Sequence, residues 1–164
     1  MATSPTIYPL QPENPTGPYY PCPNPNTYFE VRSSSIHNRG VFALKSIPEG
    51  MKLVEYVGEK ISTKEALRRE TINNQTGATY LFELNETTFI DGAVGGNASA
   101  CINHACTPNC VPRTLEGRIW IVSAKNIQQG EELLYDYQFP SDDIVTNQCR
   151  CGTKYCRGTI QLPK

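Results

Sequence analysis

The sequence of 164 residues lacks a surplus of charge of either sign. It carries 15 Lys and Arg against 16 Asp and Glu, which gives a formal net charge of -1 at pH 7. Proteins that bind nucleic acid through its phosphates cluster basic residues to displace counterions. Direct nucleic-acid binding is therefore disfavoured, and so is a zinc-dependent nucleic-acid module.

Long apolar runs, internal repeats and a secretion signal are also lacking. The longest apolar runs, such as Ile119–Val122, have the length of a strand, whereas a membrane-spanning helix needs about 20 residues. The start, Met1–Pro5, does not place an apolar segment after a basic one. We expect an intracellular protein with no membrane span, and a length that suits one domain with a moderate core.

Prolines recur through the first 27 residues, from Pro5 to Pro25, and interrupt any helix or central strand. We expect an extended or polyproline-like extension over this segment. Beyond it, short β-rich segments alternate with turns, which predicts a mainly β architecture. The predicted strands span 28–32, 41–44, 53–57, 79–84, 87–91 and 118–124.

One helix is signalled by Ser62 with Glu65 three residues later, the spacing of a capping box. The helix is expected to end near Asn73, ahead of Gly77. Periodicity leaves three arrangements of the strands open: a sandwich, a barrel and an irregular fold of several sheets.

Seven cysteines cannot all pair within one chain, and without a secretion signal they favour reduced thiols and metal ligation. Cys149, Cys151 and Cys156 supply three thiolates within one short segment, and tetrahedral zinc requires a fourth ligand. Composition leaves four candidates for that ligand: Cys22, Cys101, Cys106 and Cys110.

Three motifs follow one another along the chain. The segment Asn103–Cys110 reads NHACTPNC, Gly130–Tyr137 reads GEELLYDY, and Cys149-Arg150-Cys151 precedes Cys156. Together they resemble the signature of SET-domain protein-lysine methyltransferases with a post-SET zinc motif. No second cysteine-rich cluster precedes Tyr28, which favours similarity to the trithorax-like and related post-SET groups.

The resemblance implies a β-rich α+β fold, the SET fold, in which several small antiparallel sheets surround a pseudoknot. Such threading is an exception to the usual rules of chain connection. By similarity, residues 1–27 form an N-terminal extension, 28–139 the SET domain with a short helical insert at about 60–78, and 140–164 the post-SET segment. The implied metal is one structural Zn²⁺ held by four thiolates: Cys106, Cys149, Cys151 and Cys156.

The resemblance further implies S-adenosylmethionine as the cofactor and a protein lysine as the methyl acceptor. The implied cofactor-binding residues are Asn38, Arg39, Gly40, Val41, Tyr80, Asn103, His104, Tyr137 and Phe139. The implied catalytic residues are Tyr137, which orients the reacting groups, Tyr80 in the lysine channel, and Tyr135. A Tyr135 hydroxyl that retains a water crowds a methylated amine, which favours mono- and dimethylation. We expect His104 to hold the cofactor and the knot rather than act as a base.

Tyrosines suit this chemistry because they combine a flat apolar wall with a phenol tip. A free lysine has a pKa near 10.4, and its neutral form becomes accessible when the side chain is desolvated beside a positive sulfonium. The sequence thus predicts a protein-lysine N-methyltransferase, with a histone as the expected partner and chromatin as the location. If the source has no chromatin and the protein is not delivered to a host nucleus, we expect it in the cytoplasm.

A second hypothesis is a catalytically weak, zinc-stapled module of the same fold that binds a lysine-containing peptide or serves as a scaffold. The pair Ala100-Cys101 keeps it open, because the family usually has Arg-Phe before its Ile-Asn-His.

Overall fold

The computed structural model describes residues 20–21, 25–73, 80–139, 141 and 147–163, and it confirms a mainly β fold. In chain order the elements are β1 (Tyr20–Pro21), α1 (Pro25–Tyr28), β2 (Phe29–Ser33), β3 (Arg39–Ala43), β4 (Met51–Glu55), β5 (Glu59–Ser62), α2 (Thr63–Asn73), β6 (Leu81–Asn85), β7 (Thr88–Asp91), a 3₁₀ turn (Ala98–Cys101), β8 (Asn103–His104), β9 (Cys110–Leu115), β10 (Arg118–Ser123) and β11 (Glu132–Tyr135).

The strands form three small sheets, with the orders β1-β4-β10-β9, β2-β3-β11-β8 and β5-β7-β6. Neighbouring strands are antiparallel except for β1 with β4 and β8 with β11. The main hydrophobic core takes residues from the first two sheets, and its fully buried members include Val41, Leu53, Ile121 and Leu133. These two sheets therefore form a common base from which the site residues project.

The parallel pairing of β8 with β11 brings distant motifs together. Asn103 aligns with Leu134, and His104 aligns with Tyr135. Asn109 fastens the crossing, because its side chain donates to the Glu132 carbonyl at 2.8 Å and accepts from the Leu134 amide at 2.8 Å. The expected proximity of the Asn-His segment and the Tyr-Asp-Tyr segment is thus confirmed.

Helix α2 begins where the sequence predicts. The Ser62 hydroxyl accepts a hydrogen bond from the Glu65 amide at 3.3 Å, as an N-cap does. Glu65 turns away from the cap and accepts from Arg68 and Arg69. Arg69 also pairs with the buried Asp91 at 2.6 Å, which ties the helix to β7.

Several strand predictions were incomplete. The strands β1, β5, β8, β9 and β11 were not predicted, and the predicted ones are displaced by one or two residues. Pro112 concealed β9, since proline disfavours a central strand, but β9 lies at the edge of its sheet where proline is tolerated. The short β5, β8 and β11 carry too few residues to establish an alternating pattern.

The N-terminal extension is described only in part. Tyr20–Pro21 pairs with β4 at the edge of its sheet, and Pro25 begins a single helical turn instead of continuing an extended chain. Proline is favourable at the first position of a helix, which accounts for this difference. Residues 1–19, Cys22 and residues 74–79 of the insert lie outside the described part of the chain.

Within the described residues, the search for membrane spans finds no helix with the length and apolar character to cross a bilayer.

Candidate active site and metal centre

A cleft of about 600 Å³ lies where the second sheet meets the C-terminal segment. That volume falls within the range of roughly 300 to 1,000 Å³ typical of small-molecule sites. Its lining comes from separate parts of the chain: Ile36, His37, Asn38, Arg39, Tyr80, Ala100, Cys101, Asn103, His104, Tyr137, Asn147, Gln148, Cys149, Arg150 and Ile160.

Six of the nine expected cofactor residues line this cleft: Asn38, Arg39, Tyr80, Asn103, His104 and Tyr137. Gly40, Val41 and Phe139 are not among the lining residues. The Val41 side chain is fully buried in the main core, and Phe139 lies behind Tyr137 with ring centroids 5.8 Å apart. The structure therefore brings six of the predicted cofactor residues together around the cleft and places Gly40, Val41 and Phe139 outside its lining.

The loop before β3 forms one wall of the cleft, and Asn103 holds it. The Asn103 side-chain amide donates to the carbonyls of His37 and Arg39 at 3.2 and 2.9 Å, and to Glu132 Oε1 at 2.8 Å. The amide hydrogens of Asn103 are thus committed within the protein.

Glu132 fills the space behind this loop. Its second carboxylate oxygen accepts from the Ser34 hydroxyl at 2.9 Å. A Cβ at Gly40 would collide with Glu132 Oε1 and lie 2.8 Å from its Cδ, so a larger residue here would displace the Glu132 carboxylate. The positive φ of the turn falls instead on Asn38, at 39°, and Asn tolerates that conformation better than most residues.

Tyr137 stands at the inner end of the cleft. Its hydroxyl donates to the Ile102 carbonyl at 2.8 Å, and burial raises the pKa of its phenol well above the ordinary value. The group is therefore neutral, with its proton directed into the protein. The phenol oxygen is left to act as an acceptor toward the cleft.

A row of aromatic rings runs inward from Tyr137. The centroid distances are 5.0 Å from Tyr137 to Tyr135, 6.1 Å from Tyr135 to Phe82, and 5.1 Å from Phe82 to Tyr56. The Tyr56 hydroxyl donates to the Tyr80 carbonyl at 2.7 Å. Of these rings only Tyr137 lines the cleft, and Tyr135 and Tyr56 are buried in the hydrophobic clusters behind it.

Tyr56 and Phe82 were missed as site residues. Both lie in predicted strands, 53–57 and 79–84. Phe82 lies two residues after the predicted Tyr80, so the alternation of side chains along an extended segment was the available signal.

His104 is held neutral between the two motifs. Its Nδ1 accepts from the Tyr137 amide at 3.1 Å, and its Nε2 lies 3.4 Å from Cys106 Sγ. Burial lowers the pKa of the ring to about 4, despite the Asp136 carboxylate 3.5 Å from Nδ1. With both ring nitrogens engaged, the structure supports a structural role for this histidine.

Four thiols converge beside the cleft. The Sγ atoms of Cys106, Cys149, Cys151 and Cys156 all lie within 4.8 Å of one another, and those of Cys106 and Cys149 are 3.7 Å apart. Tetrahedral ligation at the usual Zn–S length of about 2.3 Å separates sulfurs by roughly 3.8 Å. The geometry fits a zinc ion and, of the three candidates that the structure describes, selects Cys106 as the fourth ligand, while Cys22 lies outside the described residues.

The two remaining described cysteines differ. Cys110 is fully buried, and burial raises the pKa of its thiol to about 12. Cys101 is partly exposed and lines the cleft. It occupies the end of the 3₁₀ turn, whose start is capped by the Asn97 side chain accepting from the Ser99 amide at 3.0 Å.

Comparison with known proteins gives the same reading. A family model described as SET domain matches residues 38–138. A histone-lysine N-methyltransferase, H3 lysine-4 specific, of Chaetomium globosum is 39% identical over 135 residues, covering 77% of this chain and 12% of the relative. The histone-lysine N-methyltransferase set1 of Dictyostelium discoideum is 38% identical over 133 residues, covering 77% and 9%.

A third relative, the histone-lysine N-methyltransferase trithorax of Drosophila melanogaster, is 38% identical over 135 residues, covering 79% of this chain and 4% of the relative. The chain thus spans only a small part of the length of these relatives.

Proposed function

Because this chain belongs to the SET domain family, we propose that it is a protein-lysine N-methyltransferase that uses S-adenosylmethionine and acts on a histone. The observation that carries the proposal is the position of Tyr137, which lines the cleft and also begins the row of aromatic rings. A cofactor in the cleft and a lysine along the row would meet at this side chain. The names of the relatives support a histone as the substrate class.

The cleft suits a cofactor with an anionic end and a polar ring system. Arg39 and Arg150 supply positive charge at its lining, which also includes the polar residues Asn103 and His104. When bound, S-adenosylmethionine supplies an electrophilic methyl group next to a positive sulfonium. The residues of the chain bind and orient it, and the C-terminal segment covers it from water.

The aromatic row prepares the lysine. Enclosing the amine between apolar rings disfavours its protonated form, and the nearby sulfonium does the same by repulsion. The Tyr137 hydroxyl donates its hydrogen to the Ile102 carbonyl. Its oxygen therefore accepts hydrogens of the cofactor methyl group and the lysine amine, which aligns these two reacting groups. Such alignment of bound reactants is worth roughly 7 to 11 kcal/mol, so a strong base is not required.

The four-cysteine cluster holds one structural zinc ion in this proposal. Its ligands come from the knot, through Cys106, and from the C-terminal segment, through the other three. The ion thereby fastens the segment that supplies Asn147, Gln148 and Ile160 to the cleft. A histone substrate places the enzyme on chromatin in a nucleus.

Tyr135 limits the reaction to mono- and dimethylation. Its ring is buried beside that of Tyr137, where a hydroxyl that retains a water leaves little room for a methylated amine. Mass spectrometry of the product should show mainly one and two methyl groups with the native protein, and Tyr135→Phe should shift the product towards three. Efficient trimethylation by the native protein would contradict this role.

The test of the function is transfer of a radiolabelled methyl group from S-adenosylmethionine to core histones. We expect labelling by the native protein and a loss of at least about a hundredfold in Tyr137→Phe, since removing one polar group from an active site has effects of this order. Tyr28→Phe is the matched control, because Tyr28 contacts Lys45 and does not line the cleft.

Cofactor binding without labelling of histones or of mixed cellular proteins would contradict the enzymatic function. That result, combined with binding of a lysine-containing peptide, would favour the binding or scaffold module.

A further inference from the structure

The C-terminal wall of the cleft is a narrow hairpin. The Cys149 amide donates to the Gly158 carbonyl at 3.0 Å, and the Ile160 amide donates to the Asn147 carbonyl at 3.1 Å. The hairpin presents Asn147, Cys149 and Ile160 to the cleft. Its internal bonds explain its shape, but they do not explain what holds it against the rest of the domain.

One contact of the hairpin with the domain is a backbone bond beyond its end. The Leu162 amide donates to the Phe139 carbonyl at 2.7 Å, next to the bridge between Phe139 and Gln161. Phe139 in turn packs on Tyr137. The way in which the hairpin packs against the domain therefore affects the position of Tyr137.

Arg157 makes a side-chain contact across the same boundary. Its guanidinium donates to both carboxylate oxygens of Asp136, at 2.7 and 3.0 Å, the geometry of a bidentate pair. Both side chains are about one-fifth exposed. Asp136 lies between Tyr135 and Tyr137, so the pair joins the hairpin to the centre of the predicted catalytic segment.

The same arginine also organises its own end of the chain. Its Nε donates to the Gln161 carbonyl at 3.2 Å, and its backbone amide donates to Cys106 Sγ at 3.3 Å. Arg157 thus contacts the tail, a predicted zinc ligand and the Tyr-Asp-Tyr segment. A lysine could form only some of these contacts, because the bidentate pair with Asp136 requires the planar guanidinium of arginine.

We propose that Arg157 is a positioning residue, which through Asp136 docks the C-terminal wall of the cleft against the Tyr135–Tyr137 segment and acts alongside the thiolate cluster. The cysteines join the hairpin to the knot at Cys106, and Arg157 sets how the hairpin lies on Tyr137. The consequence for cofactor affinity rests on the proposed function, whereas the docking itself does not.

The test compares amide hydrogen exchange by NMR in zinc-loaded protein. In Arg157→Gln, exchange of the Leu162 amide should accelerate at least about tenfold, because this amide bonds across the boundary. The Cys149 and Ile160 amides bond within the hairpin and should keep their protection. Asp136→Asn should give the same pattern, and Arg157→Lys an intermediate one.

Arg118→Gln is the control. Arg118 forms an ion pair with Glu55, with 3.7 Å between Nη1 and Oε2, and neither residue lines the cleft. This variant should leave all three amides unchanged. Unchanged protection of Leu162 in Arg157→Gln, or equal loss of protection at all three amides, would overturn the proposal.

A second readout separates this inference from the proposed function. Arg157→Gln should retain about one zinc per chain at saturating metal and weaken the Kd for S-adenosylmethionine about tenfold, with a larger effect on cofactor KM than on kcat. If the native protein does not bind the cofactor, the proposed function fails while the exchange data still decide the docking role. If the native protein binds it and Arg157→Gln binds it equally well, the positioning role is contradicted.

Discussion

The two walls of the cleft are held by different chemistry. The loop at Ile36–Arg39 is fixed by hydrogen bonds from Asn103, with Glu132 behind it. The hairpin at 147–162 is joined to the domain by four thiols, one ion pair and a backbone bond. One wall is therefore held by hydrogen bonds within the protein, whereas the other contains the proposed zinc site, and we propose that zinc binding is coupled to the shape of the cleft.

Cys151→Ser breaks the metal-dependent wall and should have the largest effect. A hydroxyl is a poor replacement for a thiolate at zinc. We expect the zinc content to fall below one per chain and methyl transfer to drop by about a hundredfold or more, since the displaced hairpin exposes the cleft to water. Elemental analysis and the radiolabel assay measure the two quantities.

Cys101→Ser is the control for zinc content. Cys101 is a described thiol outside the cluster, so this variant should retain one zinc per chain. A full complement of zinc in Cys151→Ser would show that the metal site is wrongly assigned.

Gly40→Ala breaks the wall that consists of protein alone. The new Cβ displaces the Glu132 carboxylate, which then loses its bonds to Ser34 and Asn103. Loss of such charge-assisted bonds costs about 1.5 to 3 kcal/mol. Because the displaced loop must be restored when the cofactor binds, we expect the cofactor Kd to weaken by up to about 150-fold. Isothermal titration calorimetry measures the change, and the zinc content should not alter.

Gly117→Ala provides the contrast. Its Cβ meets no atom, but Gly117 has a φ of +71°, in the left-handed region. We expect a cost of about 1 kcal/mol in unfolding free energy and no change in cofactor Kd. Equal cofactor affinity in Gly40→Ala and the native protein would refute the close-approach explanation.

Arg69→Gln leaves both walls intact and should have the smallest effect on the cofactor. It removes the partner of the buried Asp91 and loosens α2 from β7. The melting temperature should fall by a few degrees, while the cofactor Kd stays within about twofold of native because α2 contributes no lining residue. A larger change in the cofactor Kd would mean that α2 affects the shape of the cleft.

The sequence predicted the site better than the strands. The Asn-His, Tyr-Asp-Tyr and Cys motifs placed Asn103, His104 and Tyr137 together because a family resemblance supplied the threading that joins them. Local patterns could not reveal β9, whose Pro112 argues against a strand until its edge position is known. The cap at Ser62 was predictable because it depends on residues three positions apart.

Contacts between distant residues account for what was missed. Gly40 was expected only as a cofactor-binding residue, and its close approach to Glu132 arises only after β3 and β11 pair. The pair of Arg157 with Asp136 spans 21 residues and follows from the knot and the docked hairpin together. The fourth zinc ligand was likewise open by composition, and Cys106 was distinguished only by resemblance and then by geometry.

The most direct test of the metal-dependent cleft is the affinity for S-adenosylmethionine in one preparation that is zinc-loaded, stripped by chelation and then reloaded. We predict that stripping weakens the Kd by about tenfold or more and that reloading restores it, since binding to a site linked to the metal must follow its occupancy. An equal Kd in the loaded and stripped protein, with zinc loss verified, would contradict the coupling between the cysteine cluster and the cleft.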